Sequence, residues 1–198
     1  MHQNKDIDHL IKMLARLPGL GQKSAKRAIL HLFQHKETEL YPLLNHMKET
    51  ADKMKNCDIC GNLDMVQPCS VCASHKRNQS LICVVETVSD LWAMERTGSY
   101  DGVYHILGAT LSALNGITPD DLRIKELIER VQKQEVEEVI IALKATVDGQ
   151  TTAHYLNDKL EPFNVKLTRL AHGMPIGGEL DYMDDGTITL ALKSRRSL

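Results

Sequence analysis

The residues with the plainest chemical meaning are four cysteines in the stretch "CDICGNLDMVQPCSVC", Cys57 to Cys72, out of five in the whole chain. Their pattern is C-x2-C-x8-C-x2-C. Each C-x2-C pair can turn two thiolates toward one point, and Gly61 after the first pair frees the backbone to make that turn. Two such knuckles complete a tetrahedral thiolate shell, which suits zinc and leaves no open position for chemistry. Cys57, Cys60, Cys69 and Cys72 are therefore expected to hold one structural Zn²⁺ per chain. Four thiolates also suit an iron–sulfur cluster, and His75 is close enough in sequence to stand in for Cys72. Cys83 lies inside an apolar run and reads as a buried core thiol. The ion would give the polar segment "GNLDMVQP" a shape that apolar burial could not, and would join the segments on either side. Chelation is then expected to unfold residues 55–80.

A second constellation is "LPGLGQKSAKRAILHLF". Gly19 and Gly21 allow a hairpin so tight that successive backbone N–H groups point outward at a helix N-terminus, an arrangement that suits a phosphate oxygen without reading bases. Lys23, Lys26 and Arg27 follow directly. This is the helix–hairpin–helix pattern found in many DNA-binding proteins. An ordinary Pro-Gly corner between two helices is the competing reading, and the basic cluster favours phosphate. Binding of this kind should be independent of sequence and fall steeply with salt.

The third constellation is acidic. Glu86 ends the strand-like run "LICVV", and Asp148 lies past the run "EVIIAL". Acids beyond two parallel strands can meet where open α/β sheets place their sites, and Mg²⁺-dependent phosphoryl chemistry needs several carboxylates together. The layout resembles the Toprim domain, which uses a Glu after one strand and an Asp-x-Asp after another. Here the second motif reads Asp148-Gly149-Gln150, with a neutral amide at one acidic position, so two solvated loop acids explain the pair equally well. No G-K-[ST] phosphate loop is present. Arg195 and Arg196 read as a solvated basic end.

The elements that must position these groups follow from periodicity. Ile7, Leu10, Ile11, Leu14 and Leu17 keep helical spacing, as do Ala25, Ala28, Ile29, Leu32 and Phe33 between about Gln22 and His35. A third helix after Thr38 carries Leu40, Leu43, Leu44, Met47, Ala51 and Met54. From Leu81 onward the character changes. "LICVV", "GVYHIL", "EVIIAL" and "VKLTRL" read as buried strands; "DLWAMERTG", "TPDDLRIKELIERVQKQ" and "TTAHYLNDKLEPF" read as helices between them. The second of these helices has Thr118 as N-cap, Pro119 at its first position and Asp121 completing a capping box. Strands alternating with helices imply an α/β fold with a covered parallel sheet. The tail "TITLALKS" is a further strand candidate, after a glycine-rich loop. The expected division is 1–55 helix–hairpin–helix, 56–80 cysteine module, 81–170 α/β domain and 171–198 tail.

Composition sets the compartment and the partners. With 42% hydrophobic and 25% charged residues among 198, the chain has the make-up of a soluble globular protein. No apolar run approaches the ~18 residues of a membrane span. The N-terminus, "MHQNKDIDHLIKML", has no apolar signal core, so a cytoplasmic site is expected, where clustered thiols point to metal rather than disulfides. The net charge of −2 hides an asymmetry: residues 1–80 carry 12 Lys and Arg against 8 Asp and Glu, and residues 81–198 carry 12 against 18. Any polyanion contact belongs to the first part.

Taken in order, "LPGLGQKSAKR", "CDICGN…PCSVC", "RNQSLICVVE", "TGSYDGVYHILG", "ITPDDLRI", "TVDGQTTAHYL" and "RLAHGMPIGGELDYMDDGT" resemble the bacterial recombination mediator family RecR over nearly the whole chain. The resemblance implies a non-catalytic, DNA-binding protein of recombinational repair. It also implies a ring-like homotetramer able to encircle DNA and to load recombinase at gaps with RecO and RecF. It assigns DNA contact to Lys23 and Arg27 on the hairpin helix, and RecO contact to the Toprim face where Glu86 and Asp148 fall. A Mg²⁺-dependent Toprim enzyme is the rival reading, and a docking scaffold that never touches DNA a third. The chain departs from the family at Ala109 and Ala113, and has "ALKATVDGQ" where "ATNPTVEGE" is usual. The Lys144–Ala145 change and Gln150 put partner binding or metal affinity in doubt, and not the fold.

Overall fold

The computed structural model describes residues 4–171, 173–174 and 177–194, and the chain divides between Met54 and Lys55 into two units. In the first, α1 (Lys5–Leu14) starts at Asn4, whose side chain accepts from the Asp6 N–H. α2 (Gln22–Gln34) crosses it. Ile11, Ala25 and Ile29 are buried at the crossing, with Ile7, Leu14, Ala15 and Phe33 packed around them. α1 stops three residues short of Leu17, so Leu17 enters the turn and stays exposed, as does Leu10 on the flank of the helix. A π-helical turn over Lys36–Leu40 leads into α3 (Tyr41–Lys53). No residue of α3 is buried, and Leu43, Leu44 and Met47 are 46%, 52% and 60% exposed. The apolar stripe read from the sequence is present, but α1 and α2 do not cover it.

The second unit opens with β1 (Lys55–Asn56) paired antiparallel to β2 (Leu63–Asp64). Four strands then form a parallel sheet: β3 (Asn78–Val85), β4 (Gly102–Ile106), β5 (Glu138–Ala142) and β6 (Lys166–Arg169), in the order β4-β3-β5-β6. α4 (Val88–Thr97), α5 (Ile124–Lys133) and α6 (Val147–Leu160) connect them. In β3, Ile82 and Val84 point to one face, where they meet Leu127 and Val131 of α5 and Leu156 and Leu160 of α6. Cys83 and Val85 point to the other, against Leu91 of α4. This two-residue alternation in a strand buried on both sides is why "LICVV" is continuously apolar. Cys83 is fully buried, and desolvation pushes its thiol up to about 12.

Two elements differ from expectation. The capping box of Thr118 and Asp121 forms, but it closes a short 3-10 turn over Pro119–Asp121, and α5 starts only at Ile124. Leu122 between them is extended, which brings Leu122 and Ile124 both into the core. The tail expected as a strand over "TITLALKS" is instead a helix, α7 (Asp185–Lys193). A strand needs a neighbour to take its N–H groups, whereas Asp184 supplies a local partner: its carboxylate accepts from the Thr187 N–H and hydroxyl at 3.0 and 2.7 Å. Arg195 and Arg196 lie outside the described residues.

Gly149, in the first turn of α6, is buried against the loop after β5. A Cβ there would sit 2.0 Å from the carbonyl oxygen of Lys144. Gly149→Ala is expected to push the 144–146 loop outward and to lower stability by about 1–3 kcal/mol. Urea unfolding of the variant checks this, and an unchanged midpoint would contradict it.

Candidate metal centre and nucleic-acid interface

The four cysteines gather as their spacing requires. One sulfur from each of Cys57, Cys60, Cys69 and Cys72 lies within 4.8 Å of all the others, and the Cys60–Cys69 pair is 3.6 Å apart. Four thiolates on one zinc, at about 2.3 Å each, stand about 3.8 Å from one another. The donor set therefore fits a single ion, and it is too tight for a cluster of several irons. His75 is not part of this group. The first knuckle closes through Gly61, whose φ is +83° and whose N–H donates to the Cys57 carbonyl at 2.8 Å. A side chain there would meet the Arg123 guanidinium at 3.1 Å. Backbone N–H groups of Asn62, Cys69 and Cys72 point at the sulfurs of Cys60, Cys57 and Cys69, at 3.4 to 3.5 Å. Asp64 braces the polar segment between the knuckles, accepting from the N–H and hydroxyl of Ser70, both at 2.8 Å.

Four clustered thiols cannot all ionise without a cation. The hydrogen bond with Cys69, followed by burial, pushes Cys60 up to about 12, while the same bond holds Cys69 well below the usual thiol range. A divalent ion removes the conflict by accepting all four as thiolates.

The module is built into the α/β body. Cys57, Cys60, Cys69 and Val71 belong to one apolar cluster with Cys83, Val85, Leu91, Tyr104 and Ile106. The Ile106 N–H donates to the Cys60 carbonyl at 2.8 Å, and Arg123 Nη2 donates to the Asp58 carbonyl at 3.0 Å. Sequence reasoning missed Arg130. This guanidinium is only 6% exposed, and it donates to the Tyr104 carbonyl at 2.7 Å and to Gln134 at 3.1 Å, with Nη2 left unpartnered. Burial lowers its pKa first, and the nearby sulfurs of Cys72, Cys60 and Cys57 are the anions that oppose this. A zinc ion with four thiolates carries net negative charge, which a buried guanidinium on the neighbouring β4 edge would offset. The only sequence signal was an Arg on the otherwise apolar face Leu127–Val131 of α5.

In the first unit the glycine corner is open. Gly19 has φ +79°, and neither Gly19 nor Gly21 has an atom within 4 Å of where a Cβ would stand. Gly21 is the N-cap of α2, no side chain caps that terminus, and its first turn holds no acid. Lys23, Lys26 and Arg27 are exposed. Among the described residues no carboxylate pairs with any of the three.

The acidic constellation is weaker than its spacing suggested. β3 and β5 are neighbours with Val85 opposite Ala142, so Glu86 and the loop leading to Asp148 emerge at the same end of the sheet. Glu86, however, is covered: its side chain is 16% exposed, and the Lys144 ammonium stands 3.2 Å from Oε2. Asp148 lies in the first turn of α6, followed by an exposed Gln150. Among the described residues, neither Glu86 nor Asp148 belongs to a group of three metal-ligating side chains.

Comparison with known proteins matches the chain to four family models in succession. These are the RecR helix-hairpin-helix at residues 7–51, the RecR four-cysteine zinc finger domain at 54–74, the Toprim domain at 80–171 and the RecR C-terminal model at 173–196. Curated relatives named Recombination protein RecR are similar over nearly the full length. That of Rhizobium leguminosarum bv. trifolii is 57% identical, covering 96% of this chain and 94% of its own. That of Agrobacterium fabrum is 55% identical, covering 98% and 96%, and that of Brucella anthropi is 54% identical over the same shares. The zinc-finger match and the gathered sulfurs agree on one structural zinc per chain.

Because the knuckles share a core with β3 and β4, stripping the zinc should loosen more than residues 55–80. Hydrogen exchange after chelation is expected to show lost protection at Val85 and at Tyr104–Ile106 as well, and full protection there in metal-free protein would refute the shared core. Arg130→Leu should leave the chain folded but release zinc to a chelator about tenfold faster or more.

Proposed function

The chain belongs to the RecR family of recombination proteins, and from that premise we propose that it is a non-catalytic DNA clamp of recombinational repair. In this reading several copies form a cytoplasmic homotetramer around DNA and help load recombinase at gaps together with RecO and RecF. The observation that carries it is the uncapped, acid-free N-terminus of α2, with Gly21 open to solvent and Lys23, Lys26 and Arg27 exposed beside it. Backbone N–H groups at such a terminus bind phosphate without reading bases. One hairpin offers few phosphate contacts, so residence on DNA would depend on several copies acting together. The uncovered face of α3, with Leu43, Leu44 and Met47, is a surface that such an assembly would bury.

The Toprim end of the second unit is poorly equipped for catalysis. Phosphoryl transfer there would need a divalent ion between carboxylates. In this chain Lys144 sets its ammonium against Glu86, and Gln150 replaces an acid, so the positive charge a metal would supply is already present. Partner contact is proposed for this same end, around Glu86 and Asp148, where Lys144 is the exposed charge.

Lys23→Glu with Arg27→Glu is expected to weaken retention on circular DNA strongly and to make the salt dependence shallower, by about 1 in slope per lost phosphate contact. Unchanged retention would favour a scaffold that never touches DNA. In a nuclease assay with Mg²⁺ or Mn²⁺ the protein is expected to leave DNA intact, and metal-dependent cleavage abolished by Glu86→Gln would establish the Toprim enzyme instead.

A further inference from the structure

α2 carries one imidazole, His31, on its last turn, and a second, His35, caps its C-terminus. The two are four residues apart, the His35 N–H still donates to the His31 carbonyl at 3.1 Å, and their ring centroids are 4.4 Å apart. The chain keeps winding past His35 through the π-helical turn, where the N–H groups of Glu39 and Leu40 both donate to the His35 carbonyl, at 2.9 and 3.2 Å. This wider turn returns Glu39 to the imidazole side, and its Oε2 lies 2.8 Å from His31 Nε2. One ligand atom from each of the three residues lies within 4.8 Å of the other two, and all three residues are exposed.

We propose that His31, His35 and Glu39 form a second metal site, for a divalent transition cation of the zinc and nickel class, separate from the four-cysteine centre. Two imidazoles and a carboxylate are the donors such ions prefer when no thiolate is offered, and they leave a coordination position to water. His35 is already oriented for the task. Its Nδ1 lies 2.9 Å from the His31 carbonyl oxygen; a carbonyl only accepts, so Nδ1 carries the proton and Nε2 keeps its lone pair. Fixing one ring nitrogen on a backbone carbonyl while the other binds the ion is the usual outer shell of a metal-ligating histidine. The site also stands at the C-terminal end of α2, where the helix dipole is negative and favours a cation. Lys36, the nearest lysine in sequence, extends over the Phe33 ring, 6.0 Å from its centroid, and does not fill the position.

A bound ion would bridge α2 to the turn that starts α3. It would therefore act as a reversible clamp on that corner, in contrast to the closed and buried thiolate centre.

The test uses the full chain with its thiolate-bound zinc in place, dialysed against Zn²⁺ in a non-chelating buffer and compared with a His31→Ala/His35→Ala variant. The expected result is one additional equivalent per chain in the parent and none in the variant, with affinity at least about tenfold weaker in Glu39→Gln. Histidine ring ¹⁵N signals of His31 and His35 should shift together as Zn²⁺ is added. The replaced side chains are exposed, so the fold is expected to survive, and retained thiolate zinc in each variant verifies it. Equal uptake by parent and variant, or rings that do not respond, would show that His31 and Glu39 form an ion pair only and would overturn the proposal.

Discussion

One face of the α/β sheet is packed around the place where four sulfurs sit. Cys57, Cys60 and Cys69 are core residues, buried in the same cluster as Val85, Leu91, Tyr104 and Ile106. An apolar core normally excludes charge, because a buried unpaired ion costs several kcal/mol. Here the charge is admitted because it is shared: zinc accepts the thiolates and backbone N–H groups point at the sulfurs. The consequence is that a segment whose apolar side chains, Leu63, Met65 and Val66, stay exposed is held in shape by its thiolates and by the Asp64–Ser70 bonds.

The two constellations that face solvent differ in how much charge they leave available. At the hairpin, Lys23, Lys26 and Arg27 have no acidic partner among the described residues, and the α2 N-terminus adds its own positive end. At the carboxyl end of the sheet the reverse holds: Glu86 is shielded and paired with Lys144, and Gln150 carries no charge. A surface that presents unpaired cations attracts a polyanion, whereas an acid set against a lysine ammonium is already partly neutralised. The first feature follows from three cations on the opening turns of α2, the second from Lys144 and Gln150 past Ala142.

Most of the architecture was readable from pattern. The buried strand "LICVV", the helix "DLWAMERTG" and the cysteine spacing all depend on neighbours within a few positions, and each is found as read. The misses share one cause. "TITLALKS" has strand-like composition, but Asp184 caps it as a helix, because a strand exists only with a partner beside it. Leu10 and Leu17 keep the helical period, yet Leu10 falls on the flank of α1 and Leu17 beyond its end, so both stay in solvent. Arg130 and Gly149 were overlooked because their roles are set by groups far along the chain or across a loop.

By itself, then, the sequence determined the order of the main helices and strands as far as β6, the metal and its ligands, and the basic character of the glycine corner, since these rest on local spacing, backbone freedom and charge count. Tertiary structure alone decided that the knuckles are part of the sheet's core, that Lys144 covers Glu86, and that His31, His35 and Glu39 converge. Such outcomes depend on distances between atoms that no local rule brings together: a core forms wherever apolar surface can be shared, and a charge is neutralised by whichever partner the fold carries to it.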